Sequence, residues 1–180
     1  LAVTFTNKAA KEMRGRICSL LPHIPNEKIK MGTFHSICAR ILRKEIYNLG
    51  YTAGFTIYDQ QDARTLIKKI IKELNFNTQQ FSPNGTNGFI SKLKNKLVLS
   101  EEFQSESNGY WEEKIAVIYT AYQKQLKQNN AVDFDDLILL TIELFEKFPQ
   151  ILAQYQQEYQ YILVDEYQDT NAPQFKFIKL

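Results

Sequence analysis

Two rhythms run through the hydrophobic and polar positions of this chain. Short apolar runs stand at Leu1 to Phe5 and at Tyr161 to Val164. Each has the β-branched and aromatic make-up of a strand buried on both faces of a parallel sheet. Glu27 to Thr33 alternates polar and apolar residues and predicts a second short strand. Elsewhere helical spacing dominates. Ala10, Met13, Ile17, Leu20 and Leu21 predict a helix from about Lys8 to Leu21. Asn7 would be its N-cap, and Pro22 and Pro25 mark its end. Ile37, Cys38, Ile41, Leu42 and Ile46 predict the next helix, to about Leu49, stopped by Gly50. Strand, helix, strand, helix is an α/β beginning.

The style then changes. From about Phe55 to Asn130 no buried strand is evident, and helices are predicted at Gln60 to Asn75, Phe89 to Leu99 and Tyr110 to Gln128. SPNGTNG (Ser82 to Gly88) and ESNG (Glu106 to Gly109) read as breakers between them. A further helix is predicted at Asp133 to Phe148, and Pro149 restarts the chain into a short one near Ile151 to Gln157. Thr170, Asn171 and Pro173 open a last helix with a polar cap and an early proline. The whole reads as an α/β domain, residues 1–54 and 131–180, interrupted by a helical subdomain at 55–130.

Composition narrows this only a little. The 180 residues, 44% of them hydrophobic, suffice for one domain with an insertion. Lys and Arg number 22 against 20 Asp and Glu, a balance that permits nucleic-acid binding without arguing for it. Cys18 and Cys38 lack metal-ligand spacing and read as small buried hydrophobes. No disulfide framework is evident, so a reducing, cytoplasmic setting is the default. No run of about 18 apolar residues predicts a membrane span. Leu1 falls inside a strand-like run and Leu180 inside a helix-like one, which predicts a piece of a longer protein.

Candidate chemistry gathers at Asp165 and Glu166, directly after the last apolar run. In an open α/β sheet, ligands bind beyond the carboxyl ends of the strands. One carboxylate there suits Mg²⁺, and a second can orient or activate a nucleophilic water. This is the Walker B arrangement of nucleotide hydrolases. The plainer reading is a strand that ends in a charged turn. Asp133, Asp135 and Asp136 look superficially like a metal cluster, but they begin a helix, and capping is the favoured reading. Lys92, Lys94 and Lys96 form a basic helical face that either meets phosphates or is simply solvated. His23 has no motif context and reads as surface.

Four motifs occur in order: TFTNKAAKEM (Thr4 to Met13), GTFHSICARILR (Gly32 to Arg43), VDFDDL (Val132 to Leu137) and ILVDEYQDTN (Ile162 to Asn171). Together they resemble the first motor domain of superfamily 1 DNA helicases of the UvrD/Rep/PcrA type. The resemblance implies a partial RecA-like P-loop NTPase sheet, α/β in class, with an inserted all-helical subdomain of the 1B type. It implies ATP and Mg²⁺ as cofactors and 3′-to-5′ movement. Its implied partners are single-stranded DNA, a duplex junction and the remainder of a helicase chain. Residue by residue, it places Asp165 on Mg²⁺, Glu166 on the metal and the attacking water, and Gln168 near the γ-phosphate. Phe5, Thr6 and Asn7 would meet single-stranded DNA, with Phe5 stacking on a base for about 1–3 kcal/mol. Thr33 and His35 would reach the DNA backbone, and Lys94 and Asn95 a duplex. Without the resemblance, Phe5 is a core residue at a strand end, His35 a hydrogen-bonding turn residue, and Thr170 and Asn171 helix caps.

The sequence also departs from that pattern. A GxGKT phosphate loop is absent from the 180 residues, as are the later arginines that meet the γ-phosphate. Phosphoryl transfer relies on the loop's lysine and backbone cradle as well as on the Walker B acids. The chain alone is therefore expected neither to bind ATP tightly nor to hydrolyse it. Open strand edges would invite self-association. The alternative function is a non-catalytic, helicase-related DNA-binding or protein-interaction module.

Overall fold

The computed structural model describes residues 1–23, 25 and 29–180. Among them the strands are β1 (Ala2–Thr4), β2 (Met31–Thr33), β3 (Thr56–Tyr58), β4 (Ala131–Asp133) and β5 (Leu163–Val164). The helices are α1 (Asn7–Leu20), α2 (Phe34–Glu45), α3 (Gln60–Glu73), α4 (Pro83–Lys94), α5 (Ser100–Glu106), α6 (Tyr110–Gln128), α7 (Asp136–Lys147), α8 (Pro149–Glu158) and α9 (Ala172–Lys179). Three strands form one parallel sheet in the order β2-β1-β5. β3 and β4 form a second parallel pair.

In the first sheet Ala2, Val3 and Thr4 pair with Met31, Gly32 and Thr33, while Ala2 and Val3 also pair with Leu163 and Val164. β1 is thus the central strand, and all three of its residues are buried. α2 covers the sheet with Phe34, Ile37, Cys38, Ile41 and Leu42, all buried. α7 packs against α2, α8 and α9. Val3, Phe34, Ile37, Val132, Leu144, Phe145 and Phe177 belong to one apolar cluster. A second cluster lies among α3, α4, α5 and α6 and includes Ile67, Ile70, Phe81, Ile90, Ile115 and Tyr122.

Several expectations need correction. Residues 27 and 28 of the predicted second strand lie outside the described residues, and the strand itself is Met31–Thr33. Tyr161 to Val164 is not buried on both faces. β5 occupies the sheet edge, Tyr161 is 82% exposed and Leu163 69% exposed. The apolar stripe of α1 has no fully buried residue, and Leu20 is 76% exposed. The helix expected from Asp133 starts later, because Asp133 ends β4, with Val132 paired to Ile57 and Asp133 to Tyr58. Thr56 and Ile57 of β3 are exposed, and β4 runs almost directly into the apolar spacing of α7, so neither stands apart as an apolar run of its own.

SPNGTNG is the start of α4 rather than a break. Ser82 accepts a hydrogen bond from the Gly85 N–H at 3.1 Å, and Pro83 takes the first helical position. The same helix stops earlier than expected, at Lys94. Leu97 adopts φ 62, and the Val98 N–H returns to the Leu93 carbonyl at 3.0 Å. α5, which follows, was not anticipated. Gly50 does end its helical segment in the left-handed conformation, φ 80.

Candidate nucleotide and nucleic-acid site

Parallel pairing makes the carboxyl ends of β1, β2 and β5 emerge on one edge of the sheet. Three of the four sequence motifs leave the sheet there: Phe5-Thr6-Asn7 after β1, Phe34-His35 after β2, and Asp165-Glu166 after β5. The Asp165 N–H donates to the Val3 carbonyl at 2.9 Å, which continues the β1–β5 ladder by one step. That step puts Thr4 beside Asp165, and the Thr4 hydroxyl donates to Asp165 Oδ2 at 3.3 Å. Thr4 was not singled out in the sequence. Its signal was there, since it precedes the first motif's Phe5 on a strand that any parallel sheet would set next to the acids.

Glu166 lies at φ 50, ψ 46, a left-handed conformation uncommon for a residue with a side chain. It opens a 3-10 turn, Tyr167–Asp169, and its carbonyl accepts from the Asp169 N–H at 2.9 Å. Its carboxylate accepts a hydrogen bond from Gln168 Nε2 at 2.5 Å. Asp165, Glu166 and Gln168 are all exposed residues at the strand end. Thr170 donates to the Tyr167 carbonyl at 2.9 Å and closes the turn. Asn171 caps α9: its Oδ1 accepts from the Gln174 N–H, and Gln174 Oε1 accepts from the Asn171 N–H, both at 3.0 Å. The capping reading of Asn171 therefore holds.

Phe5 is half-buried, its ring 5.5 Å from that of Phe34. Thr6, not Asn7, is the N-cap of α1, accepting from the Ala9 N–H at 3.1 Å. Asn7 is the first helical residue and is exposed. Thr33 caps α2, accepting from the Ser36 N–H at 3.2 Å, and is buried. His35 stacks on Phe134, with ring centroids 3.9 Å apart and planes at 23°. Burial lowers the His35 pKa to about 4, so the ring is neutral near pH 7. A neutral imidazole can only share a hydrogen bond with a phosphate and brings no charge to it. Phe134, which the sequence reading left unassigned, is itself exposed.

The expected basic face does not include Lys94. The residue is 1% exposed, and its ammonium sits 2.6 Å from Asp133 Oδ2 and 2.7 Å from Asp136 Oδ1. A buried lysine survives as a cation only with such partners. Here desolvation opposes the charge, but the two carboxylates outweigh it and the Lys94 pKa is raised. The Tyr122 hydroxyl donates to Asp133 Oδ2 at 3.0 Å, and Gln123 Nε2 to Asp136 Oδ1 at 3.2 Å. Burial and the Asp133 charge push Asp136 up to about 6. The two aspartates also cap α7 reciprocally: the Asp136 N–H donates to Asp133 Oδ1 at 2.9 Å, and the Asp133 N–H to Asp136 Oδ2 at 3.2 Å. The capping expectation holds for Asp133 and Asp136, to which Lys94 gives a further task, but not for Asp135, which stands at the N-cap position without a side-chain cap bond and accepts from Asn95 instead.

Asn95 is half-buried rather than part of a free surface. Its Nδ2 donates to the Ser91 carbonyl at 2.8 Å and to Asp135 Oδ1 at 3.2 Å, while its Oδ1 accepts from Asn171 Nδ2 at 2.6 Å. A cleft of about 140 Å³ opens here, lined by His35, Asn95, Phe134, Asp135, Asn171 and Pro173 among others. A larger hollow of about 340 Å³ lies at the start of α4, between Phe81, Phe89, Lys92 and Trp111, and has no carboxylate in its lining.

A family model described as the UvrD/REP helicase N-terminal domain matches residues 1–180. The chain belongs to that family. Among similar proteins is the ATP-dependent DNA helicase PcrA of Leuconostoc citreum, 46% identical over 180 residues, which are all of this chain and 24% of that protein. The PcrA helicase of Staphylococcus epidermidis (strain ATCC 12228) is 47% identical over 183 residues, covering 25% of its length. That of Staphylococcus aureus (strain NCTC 8325) is 47% identical over 180 residues, covering 24%. The chain thus spans about a quarter of the length of these relatives. A helix-rich α/β chain with a small parallel sheet is what this UvrD/REP N-terminal segment forms. Among its described residues, no helix is long and apolar enough to cross a membrane.

Proposed function

We propose that this chain is the segment of an ATP-dependent DNA helicase that carries the Walker B carboxylates and part of the single-stranded DNA path. The observation behind this reading is the shared sheet edge: TFTN, TFHS and DEYQ all leave parallel strands on the same side. A change at the acids can therefore be felt at the DNA-facing loops across one or two strand spacings, about 5–10 Å.

The residues fit a magnesium nucleotide in part. Asp165 and Glu166 are exposed carboxylate residues at a strand end, suited to a hard cation that keeps several waters. Thr4 orients the Asp165 carboxylate. Gln168 holds Glu166, so the oxygen that would orient and polarise water is steered by a side-chain amide. Bound Mg²⁺ and ATP would supply the electrophilic phosphorus and neutralise its oxygens. The cradle for those phosphates is not in these 180 residues. Phe5, Thr6, Asn7, Thr33 and His35 form the proposed DNA-facing set, with His35 acting as a neutral partner. The stretch 55–130 is proposed as the 1B-type insert, movement as 3′ to 5′, and the exposed β5 edge as a site of self-association or of docking to the rest of the helicase chain.

The test uses the full-length protein containing this segment. Glu166→Gln should lower single-strand-stimulated ATP turnover by about 10²- to 10⁴-fold while salt-sensitive single-strand binding persists. The 180-residue chain alone should show no magnesium-dependent turnover. Full turnover in the Glu166→Gln protein, or turnover by the isolated chain, would overturn the assignment.

A further inference from the structure

Asn171 and Asn95 lie 76 positions apart and are joined by the 2.6 Å bond from Asn171 Nδ2 to Asn95 Oδ1. The polarity of this bond is not free to reverse. At one end the Gln174 N–H, which can only donate, occupies Asn171 Oδ1. At the other end the Asp135 carboxylate and the Ser91 carbonyl, which only accept, face Asn95 Nδ2. Each amide is therefore locked in one orientation, and a directed chain runs Gln174 to Asn171 to Asn95 to Asp135. Its ends have different anchors. Asn95 follows Lys94, whose buried ion pairs fix the last turn of α4 to Asp133 and Asp136. Asn171 follows the 3-10 turn that begins at Glu166, and the Asp169 and Thr170 amides close that turn.

We propose that Asn171 and Asn95 are positioning residues that tie the turn that follows Asp165 and bears Glu166 and Gln168 to the end of α4. The tie couples the helical section around the second apolar cluster to the carboxylate-bearing edge of the sheet. Its catalytic consequence rests on the helicase reading above; its geometry does not.

Locked polarity supplies the test. Asn171→Asp keeps an oxygen for the Gln174 N–H, so the cap of α9 survives, but sets a carboxylate oxygen against Asn95 Oδ1. Adding Asp135→Asn lets the Asn95 amide turn over: Asn95 then donates to the residue 171 carboxylate, and the residue 135 amide donates to Asn95. The Ser91 carbonyl keeps its bond from the Asn95 backbone N–H. Net charge is the same in the double variant as in the parent.

Hydrogen exchange on the full-length protein containing this segment should show the Asp169 and Thr170 amides exchanging about tenfold faster in Asn171→Asp. The Phe175 amide, which bonds the Asn171 carbonyl within α9, should be unmoved. The double variant should return the turn to parental rates. An unchanged turn in Asn171→Asp, loosening spread through α9, or failure of the double variant to restore would each overturn the tie. In the full-length protein, Asn171→Asp should lower kcat for DNA-stimulated ATP turnover about tenfold with KM for ATP nearly constant, and the double variant should recover it. Unchanged kcat beside altered exchange would overturn the positioning role. A parent protein without any ATPase would instead overturn the helicase reading, and the exchange result would still judge the tie.

Discussion

Lys94 is the residue where sequence and structure part most sharply. Helical spacing placed it with Lys92 and Lys96 on a basic face, because its partners Asp133 and Asp136 stand 39 and 42 positions away. A local pattern cannot see a partner at that distance. Replacing Lys94 by Met would leave two carboxylates buried without their cation, and should destabilise the chain by about 3–5 kcal/mol in chemical denaturation. The same neighbourhood sets a pH signature with two opposing parts. His35 titrates at about 4 in the fold against an ordinary 6.5, so between those values the unfolded chain binds the proton and stability falls as pH falls. Asp136 titrates at about 6 against an ordinary 3.8, so there the folded chain binds the proton first and stability rises as pH falls. Denaturation between pH 4 and 6.5 should therefore show acid sensitivity reduced by His35→Gln and increased by Asp136→Asn. The reverse ordering would show that neither group is buried in solution.

Among the elements, those inside a longer apolar run or a repeated helical spacing were legible. α6 runs from Tyr110 to Gln128, the limits its spacing predicts, because 19 residues display many turns of the same period. β3 and β4 hold three residues each and display none. Turn chemistry misled at SPNGTNG, where asparagine and glycine suggested a loop while serine and proline were already starting α4. The cap of α3 is a further feature that pattern reading missed. Asp59 accepts from the Gln61 and Asp62 amides at 2.7 and 2.8 Å, and Asp62 returns a bond from the Asp59 N–H at 3.2 Å. Asp59→Ala should cost about 1 kcal/mol, read as a lowered thermal midpoint. No change at all would show that α3 is held by its packing on α4 and α6 alone.

For the molecule as a whole, the four motifs made the family legible, and their shared sheet edge followed once the strands were known to be parallel. What could not be read was how the two apolar clusters join. Beside the apolar join at Ala131 and Val132 on β4, that junction is made of Lys94, Asn95 and their carboxylate partners, and polar partners have no period. Burial of β5 was also misjudged, since an apolar run announces a strand without saying whether neighbours lie on both sides. With Tyr161 and Leu163 largely exposed at an open edge, association between copies should rise with concentration. Leu163→Lys should suppress it in sedimentation velocity while leaving the helical content unchanged. A chain that remains monomeric at every concentration would remove self-association from the proposed roles of this edge.

Glu166, a left-handed, non-glycine residue held between β5 and a 3-10 turn, is strained by about 1 kcal/mol or more. Glycine or asparagine would sit there at less strain. A laboratory lineage selected for heat resistance alone should therefore drift at position 166 toward those two residues and shed its carboxylate on the way. On the role proposed above for Glu166, thermal selection and selection for turnover would pull this one site in opposite directions, which makes it a marker of which pressure a given lineage has felt.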